Sequence, residues 1–241
     1  MTILLVDGDI VAYKAAAGGE IPIDWGDGLW TLHSHEQDIA LRLDTFISNL
    51  VDEAPVQDCI IALSDTQNFR KEFAPYYKAN RKNTRKPMLL NWAREYMMRE
   101  YNTIIYRGLE ADDVLGILGT SNPDTIIWSV DKDLLTIPAK HWINGEVVEV
   151  DEDSADYNFF HQTLTGDSTD NYKGCPKIGG VTANKILDVN CSWDTVVDTF
   201  AKQGLSEAVA IEQARLARIL RNGEYDTDTG EVKLWQPTKN T

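Results

Sequence analysis

Four short stretches of the chain are almost continuously apolar, and turn-forming or acidic residues follow each of them. Such stretches predict β-strands buried on both faces, as strands are in a parallel sheet. They cover residues 2–6, 58–64, 103–107 and 125–130. Apolar residues at helical spacing lie between them and predict helices over residues 39–51, 88–99 and 111–118. Alternating strands and helices indicate an α/β fold with a mostly parallel central sheet and flanking helices.

A second part of the chain begins at about residue 156, where strand patterns give way to helical ones. Helices are predicted over residues 157–165, 181–187 and 206–221, around a glycine-bearing turn at residues 174–180. Two hairpins are also predicted, one inserted at residues 20–36 and one near residues 226–230. We therefore expect a first domain over residues 1–160 and a small helical subdomain over residues 161–241.

Acidic residues follow every one of the four predicted strands. Asp7 and Asp9 follow the first strand, Asp65 the second, Glu110, Asp112 and Asp113 the third, and Asp131 and Asp133 the fourth. The carboxyl ends of parallel strands meet at one edge of the sheet, where open α/β sheets bind their ligands. A further pair, Asp167 and Asp170, has the i, i+3 spacing of one helical face. We expect these carboxylates to converge on one rim.

Carboxylates gathered in this way repel one another unless cations neutralise them. Ligand sets made only of oxygen favour Mg²⁺ or Mn²⁺ over zinc, and two such ions ~3.5–4 Å apart are a recurring device for displacement at phosphate. The pattern therefore predicts a nuclease that depends on two divalent metal ions. A single aspartate after a strand can equally cap a helix, and this alternative stays open for Asp9 and Asp113.

The distribution of charge adds a second functional element. The chain of 241 residues has a net charge of −15, yet residues 67–108 contain ten Lys or Arg and three Glu, so this segment carries +7 and the remainder −22. A basic block on an acidic chain is typical of an anion-binding element beside a cation-binding one. The three cysteines are widely spaced, and no apolar run is long enough to cross a membrane, so we expect a cytoplasmic protein without membrane contact.

Two clusters of residues are candidates for contact with nucleic acid. In the basic segment, Lys78 and Arg81 have a spacing that directs both at one phosphate, Tyr76 or Tyr77 offers a ring for base stacking, and further cations follow at Lys82, Arg85 and Lys86. In the turn, backbone amides at Gly179 and Gly180 can bind phosphate, with Lys173, Lys177 and Lys185 beside them. Alone, the basic segment is equally compatible with a solvated helix face or a disordered arm.

The motifs resemble those of the flap-endonuclease/5′-exonuclease superfamily, whose nuclease domain is PIN-like. The matching motifs are Leu5-Val-Asp7-Gly8-Asp9, Tyr77-Lys-Ala-Asn-Arg81, Glu110-Ala-Asp-Asp113, Ser129-Val-Asp131-Lys-Asp133 and Gly166-Asp167-Ser-Thr-Asp170-Asn171. Residues 77–82, 131–133 and 217–225 more closely resemble the short exonucleases of T-odd podoviruses. The resemblance covers nearly the whole chain, although Lys177 stands where the family's turn usually has its middle glycine.

This resemblance implies 5′→3′ degradation of duplex DNA with a 5′ end or flap, and removal of RNA from RNA–DNA hybrids, by a monomeric phage enzyme acting during DNA replication in the host cytoplasm. It implies a helical arch within the basic segment, through which a 5′ single strand passes, and a helix–hairpin–helix-type subdomain. The implied metal ligands are Asp7, Asp65, Glu110 and Asp112 for one ion and Asp131, Asp133, Asp167 and Asp170 for the other. Lys78, Arg81 and Asp113, the last between the two ions, are the implied catalytic residues.

Two other nuclease activities remain alternatives at this point. A structure-specific flap endonuclease would use the same residues. A PIN-type ribonuclease would need neither the Asp167/Asp170 pair nor the glycine-bearing turn, and both are present in this chain.

Overall fold

The structure is a computed structural model and describes residues 2–237. Within these residues the strands are β1 (Ile3–Asp7), β2 (Ile21–Asp24), β3 (Trp30–His33), β4 (Asp58–Ala62), β5 (Thr103–Ile104), β6 (Thr125–Trp128), β7 (Lys140–Ile143) and β8 (Glu146–Glu149). The α-helices are α1 (Gly8–Gly18), α2 (Glu36–Glu53), α3 (Arg70–Phe73), α4 (Leu90–Glu100), α5 (Ala111–Ser121), α6 (Glu152–Thr165), α7 (Gly180–Leu187), α8 (Trp193–Lys202) and α9 (Glu207–Ala217).

A six-stranded sheet in the order β5-β4-β1-β6-β7-β8 forms the centre of the molecule. All its pairings are parallel except that of β7 with β8, so the predicted α/β fold with a mostly parallel sheet is confirmed. The four predicted strands are present: β1 has the expected length, shifted by one residue, whereas β4, β5 and β6 are shorter than expected, and β5 keeps only two residues. The pair β7–β8 was not predicted, because every residue of β8 is exposed and an edge strand lacks the continuous apolar run of a buried one.

Helices cover both faces of the sheet. On one face, α1, α2 and α4 bury a cluster that includes Leu43 and Met97 against the strands. On the other face, α5 and the segment after α9 bury Leu115 and Leu220. Helix α1 begins directly at the edge of the sheet, and a Cβ at Gly8 would lie 2.4 Å from Ile61 Cγ2, so only glycine fits there. The chain therefore passes directly from β1 into α1 at the carboxyl edge of the sheet, without an intervening loop.

Helices α6 to α9 form the second part of the structure, around apolar clusters that contain Phe159 and Phe200. The predicted boundary near residue 160 falls inside α6, which runs without a break from Glu152 to Thr165; the division into two domains stays a prediction. Helix α8 was not predicted. Helix α9 ends at Ala217, so the prediction of a helix as far as residue 221 is wrong beyond that point.

Both predicted hairpins are present. Strands β2 and β3 pair antiparallel, and residues 225 and 232 form an isolated antiparallel bridge around the second turn. The first hairpin projects from the fold with Trp25 and Trp30 exposed, and Glu20 at its base is paired with Arg85. No helix in the described part of the chain is long and apolar enough to span a membrane.

Candidate active site

A cleft of about 740 Å³ opens at the carboxyl edge of the parallel strands, between the sheet and α6. We refer to it as the acidic cleft. Eight carboxylates line it: Asp7, Asp9, Glu110, Asp112, Asp131, Asp133, Asp167 and Asp170. The expectation that strand-end acids and the Asp167/Asp170 pair share one rim therefore holds for these residues.

Asp7 and Asp112 form the deep part of the cleft on the side of the sheet. Asp7 caps α1 through a bond from the Ile10 amide at 3.2 Å and accepts a bond from Ser129 Oγ at 2.9 Å. Burial, with a smaller contribution from Asp131, raises the pKa of Asp7 to about 6. Burial and the charge of Asp7 also raise the pKa of Asp112 well above its usual value. Burial and neighbouring negative charge thus both oppose the ionisation of these two carboxyl groups.

Asp133 and Asp167 both line the other half of the cleft. Burial, followed by the charges of Asp131 and Asp167, raises the pKa of Asp133 to about 6. The Asp133 amide also donates to Asp131 Oδ1 at 2.9 Å, which fixes the turn after β6. Asp167 lies in a loop that closes on itself, since Asp167 and Tyr172 exchange two backbone hydrogen bonds of 2.9 and 3.0 Å. The cleft thus contains two groups of acids, one on the sheet and one reaching the loop after α6.

Lys78 joins the two groups. Its Nζ contacts Glu110 Oε1 and lies 3.4 Å from Asp170 Oδ2. Although burial raises the pKa of Glu110, Lys78 and Arg70 outweigh this effect and lower the pKa of Glu110 to about 2. Burial lowers the pKa of Lys78, but the charges of Glu110 and Asp170 reverse that effect and raise it. Lys78 is therefore a charged ammonium inside an acidic cleft.

Arg81 extends the same contact across the mouth of the cleft. Its guanidinium pairs with Asp170 and donates through Nε to the Thr169 carbonyl at 3.1 Å. The neighbouring Asn80 donates to the Ser168 carbonyl at 3.0 Å. The helical arch that the resemblance implied for residues 67–108 stays a prediction: this segment contains α3 and α4, and between them, among residues 74–89, a 3₁₀ helix, Ala79–Asn83. Instead of standing clear of the fold, this part of the basic segment lies against the loop that carries Asp170.

The two tyrosines proposed for base stacking, Tyr76 and Tyr77, differ in exposure. Tyr77 is 3% exposed, and its hydroxyl lies 2.9 Å from Glu110 Oε2 and 2.8 Å from Asp170 Oδ2. The prediction that Tyr77 stacks on a base is therefore not compatible with its burial. Tyr76 is 39% exposed, and its hydroxyl donates to Glu212 at 2.6 Å.

Two of the predicted metal-binding and catalytic residues, Asp113 and Asp65, do not line the cleft. Asp113 is fully buried and forms a bidentate pair with Arg70, with both N–O distances at 2.7 Å. Both of its oxygens are occupied, so it does not lie between metal sites as the resemblance implied. Asp65 accepts bonds from the amides of Gly108 at 2.7 Å and Thr66 at 2.6 Å, and these bonds lower its pKa. It holds the loop that leads to Glu110.

No three Asp, Glu, His or Cys side chains within residues 2–237 lie close enough together to form a ready metal-binding set. Glu110 and Asp170 are turned toward Lys78 and Arg81. The donors that a metal would need are thus in one cleft, but some of them are paired with cations of the chain.

The glycine turn, residues 174–180, leads into α7, whose first residue is Gly180. Gly179 and Gly180 are exposed, and a Cβ at Gly179 would have no neighbour within 4 Å. The predicted cations Lys173 and Lys185 are exposed on either side of the turn. Lys82, Arg85 and Lys86 are also exposed, although Arg85 is engaged with Glu20 at the base of the first hairpin.

Several polar residues of the cleft were missed in the sequence. Arg94 of α4 pairs with Asp9 and donates to the Ser64 carbonyl at 2.5 Å, so Asp9 belongs to an ion pair rather than capping a helix. Helix α6 adds a polar face to the cleft through Asn158, His161 and Gln162. Their i, i+3, i+4 spacing is visible in the sequence, but a polar helix face is normally solvated, so the spacing alone does not indicate a site.

A mostly parallel sheet whose carboxyl edge gathers eight carboxylates beside a lysine and an arginine is the arrangement expected of a nuclease, and the comparisons with known proteins identify the class as that of the 5′-nucleases. The model of a family described as 5′-3′ exonuclease, N-terminal resolvase-like domain, matches residues 2–163. The chain is 30% identical to the exodeoxyribonuclease of Enterobacteria phage T3 and 29% identical to the exonuclease of Escherichia phage T7, each alignment covering 98% of this chain and 93% of the relative.

The fold is similar to that of the bacteriophage T5 flap endonuclease in its complex with DNA and metal ions. The TM-score is 0.65 at 16% identity, and the match covers 90% of this chain and 89% of the other. The chain belongs to the 5′–3′ exonuclease family, and it is a 5′–3′ exonuclease of the phage type.

Proposed function

We propose that the acidic cleft hydrolyses phosphodiester bonds of DNA with the help of two divalent cations, Mg²⁺ or Mn²⁺. The observation that carries this proposal is that eight carboxylates line a single cleft. Every carboxylate donor there is a hard oxygen ligand, which favours Mg²⁺ or Mn²⁺ over softer ions. The residues of the cleft fit such ions, since carboxylates that burial and their neighbours keep from ionising regain their charge beside a cation.

The ligands divide between the two halves of the cleft. Asp7, Glu110 and Asp112 hold one ion, and Asp131, Asp133, Asp167 and Asp170 hold the other. Asp65, implied as a ligand by the resemblance, acts through the loop before Glu110, because its own oxygens are bonded to backbone amides. When bound, two such ions activate a water molecule and stabilise the leaving oxygen.

Lys78 and Arg81 supply the positive charge that the reacting phosphate needs. Both contact acids of the cleft, so both already point to the place where a scissile phosphate would lie. A fixed donor aimed at developing negative charge stabilises the transition state more than the bound substrate. When Lys78 leaves Glu110 and Asp170, the two carboxylates become available to a metal ion and the ammonium becomes available to the phosphate.

Duplex DNA with a 5′ end or flap is the proposed substrate, in phage DNA replication in the host cytoplasm. The glycine turn binds the duplex through the backbone amides of Gly179 and Gly180, supported by Lys173 and Lys185. Lys82 and Lys86 guide the strand that enters the cleft. We propose that the enzyme acts as a monomer. It also removes RNA from RNA–DNA hybrids, because contacts to phosphates are available on either kind of strand.

Cleavage at the base of a flap is a second candidate activity. Asn80 and Arg81 contact residues 168–170 at the acidic cleft, so release of these contacts would open a path for a strand with a free end. A PIN-type ribonuclease is less well supported, since the loop with Asp167 and Asp170 and the glycine turn lie beyond the minimal nuclease domain.

The proposal is tested by single-turnover cleavage of duplexes labelled at the 5′ or the 3′ end, with Mg²⁺, with Mn²⁺ and with excess chelator. We expect short labelled products from the 5′-labelled duplex, gradual shortening of the 3′-labelled strand, and no cleavage in chelator. Full activity in chelator would refute the metal-dependent mechanism. A preference for single-stranded RNA over duplex DNA would instead favour the ribonuclease.

A further inference from the structure

Gln213 of α9 does not line the acidic cleft. It is 6% exposed and bonds to the residue at which the glycine turn begins. Its Oε1 accepts a hydrogen bond of 2.8 Å from the Gly174 amide. A buried backbone amide needs such a partner, since an unpaired one costs about 1–3 kcal/mol in general. Gln213 therefore fixes the point where the glycine turn begins.

The same point is the neck of the loop that carries Asp167 and Asp170. We call residues 166–174 the acid loop. At its neck, a Cβ on Gly166 would lie 2.5 Å from the Gly174 nitrogen, and a Cβ on Gly174 would lie 2.3 Å from the Gly166 nitrogen. Two backbones in such close contact move together. A shift of Gly174 therefore shifts the acid loop and its carboxylates.

Residues 216–220, which follow Gln213 in the chain, are fixed to the sheet side of the cleft. Arg70 donates to the carbonyls of Leu216 at 3.3 Å and Arg218 at 2.5 Å while it pairs with Asp113. Asp113 in turn accepts bonds of 3.2 Å from the amides of Leu220 and Glu110. The segment after α9 is thus tied to the backbone of Glu110 through one buried ion pair.

We propose that residues 213–220 form a brace that sets the distance between the two acid groups of the cleft, with Gln213 and Arg70 as its positioning residues. One end of the brace holds the neck of the acid loop, and the other holds the first turn of α5. The inference rests on the proposed function, because it assigns the brace the task of keeping two metal-binding half-sites in register.

A brace of this kind is expected to affect the reaction more than the stability of the fold. Buried ion pairs contribute little net stability in general, because the cost of desolvation offsets much of the attraction. The geometry of reacting groups is far more sensitive, and a misplacement of about 1 Å can cost ~10²-fold in rate. The brace contacts the backbone at Glu110 at one end and at Gly174, in the neck of the acid loop, at the other. A small shift at either point would displace carboxylates of the cleft and lower the rate.

The test compares three substitutions in α9. Gln213→Met keeps the volume but removes the acceptor, whereas Gln213→Glu keeps an acceptor oxygen. Arg215→Met is the matched control, since Arg215 lies on the same helix and donates to the Trp235 carbonyl at 3.1 Å, away from the cleft. Four quantities are measured on the full chain: Mn²⁺ binding by electron paramagnetic resonance, the single-turnover rate, the affinity for duplex DNA in chelator, and Tm.

We expect Gln213→Met to weaken Mn²⁺ binding and to slow the single-turnover rate by ~10- to 10²-fold, with DNA affinity close to that of Arg215→Met. Its Tm should be lower than that of Arg215→Met by several degrees at most, since the Gly174 amide loses its acceptor. Gln213→Glu should restore both Mn²⁺ binding and rate. Equal values for Gln213→Met and Arg215→Met in all four measurements would overturn the brace. A loss for Gln213→Met that appears only in Tm would overturn it as well.

Arg70→Lys tests the opposite end and serves if Gln213→Met does not yield folded protein. Lysine keeps the charge beside Asp113, but three donors on a single nitrogen cannot replace the four bonds that the Arg70 guanidinium makes to Asp113, Leu216 and Arg218. The same losses of Mn²⁺ binding and rate are therefore expected. Wild-type values of both quantities in Arg70→Lys would contradict the brace. Cleavage by the wild-type protein without divalent metal would refute the proposed function instead, and the rate ratio of Gln213→Met to Arg215→Met would still test the brace.

Discussion

Replacement of Lys78 by alanine removes the cation that joins the two acid groups of the cleft. Lys78 Nζ contacts Glu110, lies 3.4 Å from Asp170, and its side chain is 16% exposed. Lys86 is the matched control, because it belongs to the same basic segment but is exposed. Lys78→Ala and Lys86→Ala remove the same charge from the same segment, so they differ chiefly in distance from the reacting phosphate.

The two variants should separate binding from chemistry. Loss of one phosphate contact lowers the salt dependence of DNA binding by about one unit of slope, and this applies to either residue. Loss of a donor directed at the reacting phosphate costs ~10²–10³ in rate, or ~2.7–4 kcal/mol of transition-state stabilisation. We therefore expect a reduction of this size for Lys78→Ala and little change for Lys86→Ala.

The assay is single-turnover cleavage at saturating DNA with Mg²⁺, so that affinity does not enter the rate. DNA binding is measured separately, in chelator, at several salt concentrations. Equal and small effects of the two variants on the rate would refute the assignment and reduce the basic segment to an electrostatic guide. A large effect of Lys86→Ala on the rate would contradict the placement of Lys78 at the phosphate.

Three further predictions concern the metal ligands, the glycine turn and pH. Asp131→Asn should cut turnover by orders of magnitude while the dissociation constant for duplex DNA in chelator stays near that of the wild type. Gly179→Leu should weaken duplex processing more than cleavage of a short single strand and leave Tm unchanged, whereas Gly174→Ala should lower Tm because its Cβ would lie 2.3 Å from the Gly166 nitrogen. Burial lowers the pKa of His141, so the unfolded state binds more protons and stability should fall as pH drops below about 6.5, less steeply in His141→Gln.

Each of these three predictions has a result that would contradict it. Normal turnover in Asp131→Asn would remove this residue from the metal site. Equal losses on duplex and single strand in Gly179→Leu would remove the glycine turn from duplex binding. Identical slopes of Tm against pH for the wild type and His141→Gln would show that His141 does not govern stability in this range.

The strand-end acids could be predicted because two simple regularities act together. Apolar runs reveal buried parallel strands, and parallel strands bring their carboxyl ends to one edge. This was sufficient to find Asp7, Asp112, Asp131 and Asp133. The same regularities could not separate Asp113 from its neighbour Asp112, because the difference lies in the partner that Asp113 meets.

That partner is Arg70, 43 residues earlier in the chain, and only the tertiary structure brings the two together. The shortened helix α9 has the same origin. Its sequence pattern continues as far as residue 221, but the backbone at Arg218 and Leu220 bonds to Arg70 and Asp113 instead of continuing the helix. Long-range partners of this kind override local preference. The contact of Gln213 with Gly174 could not be predicted from the sequence for the same reason.

Crystals of the protein soaked with Mn²⁺ and measured at the manganese absorption edge would test the central claim most directly. We expect two anomalous peaks in the acidic cleft, one beside Asp7 and Asp112 and the other beside Asp133 and Asp167, with Lys78 withdrawn from Glu110. The absence of any peak in the cleft at saturating Mn²⁺, with Lys78 still bonded to Glu110 and Asp170, would contradict the two-ion account.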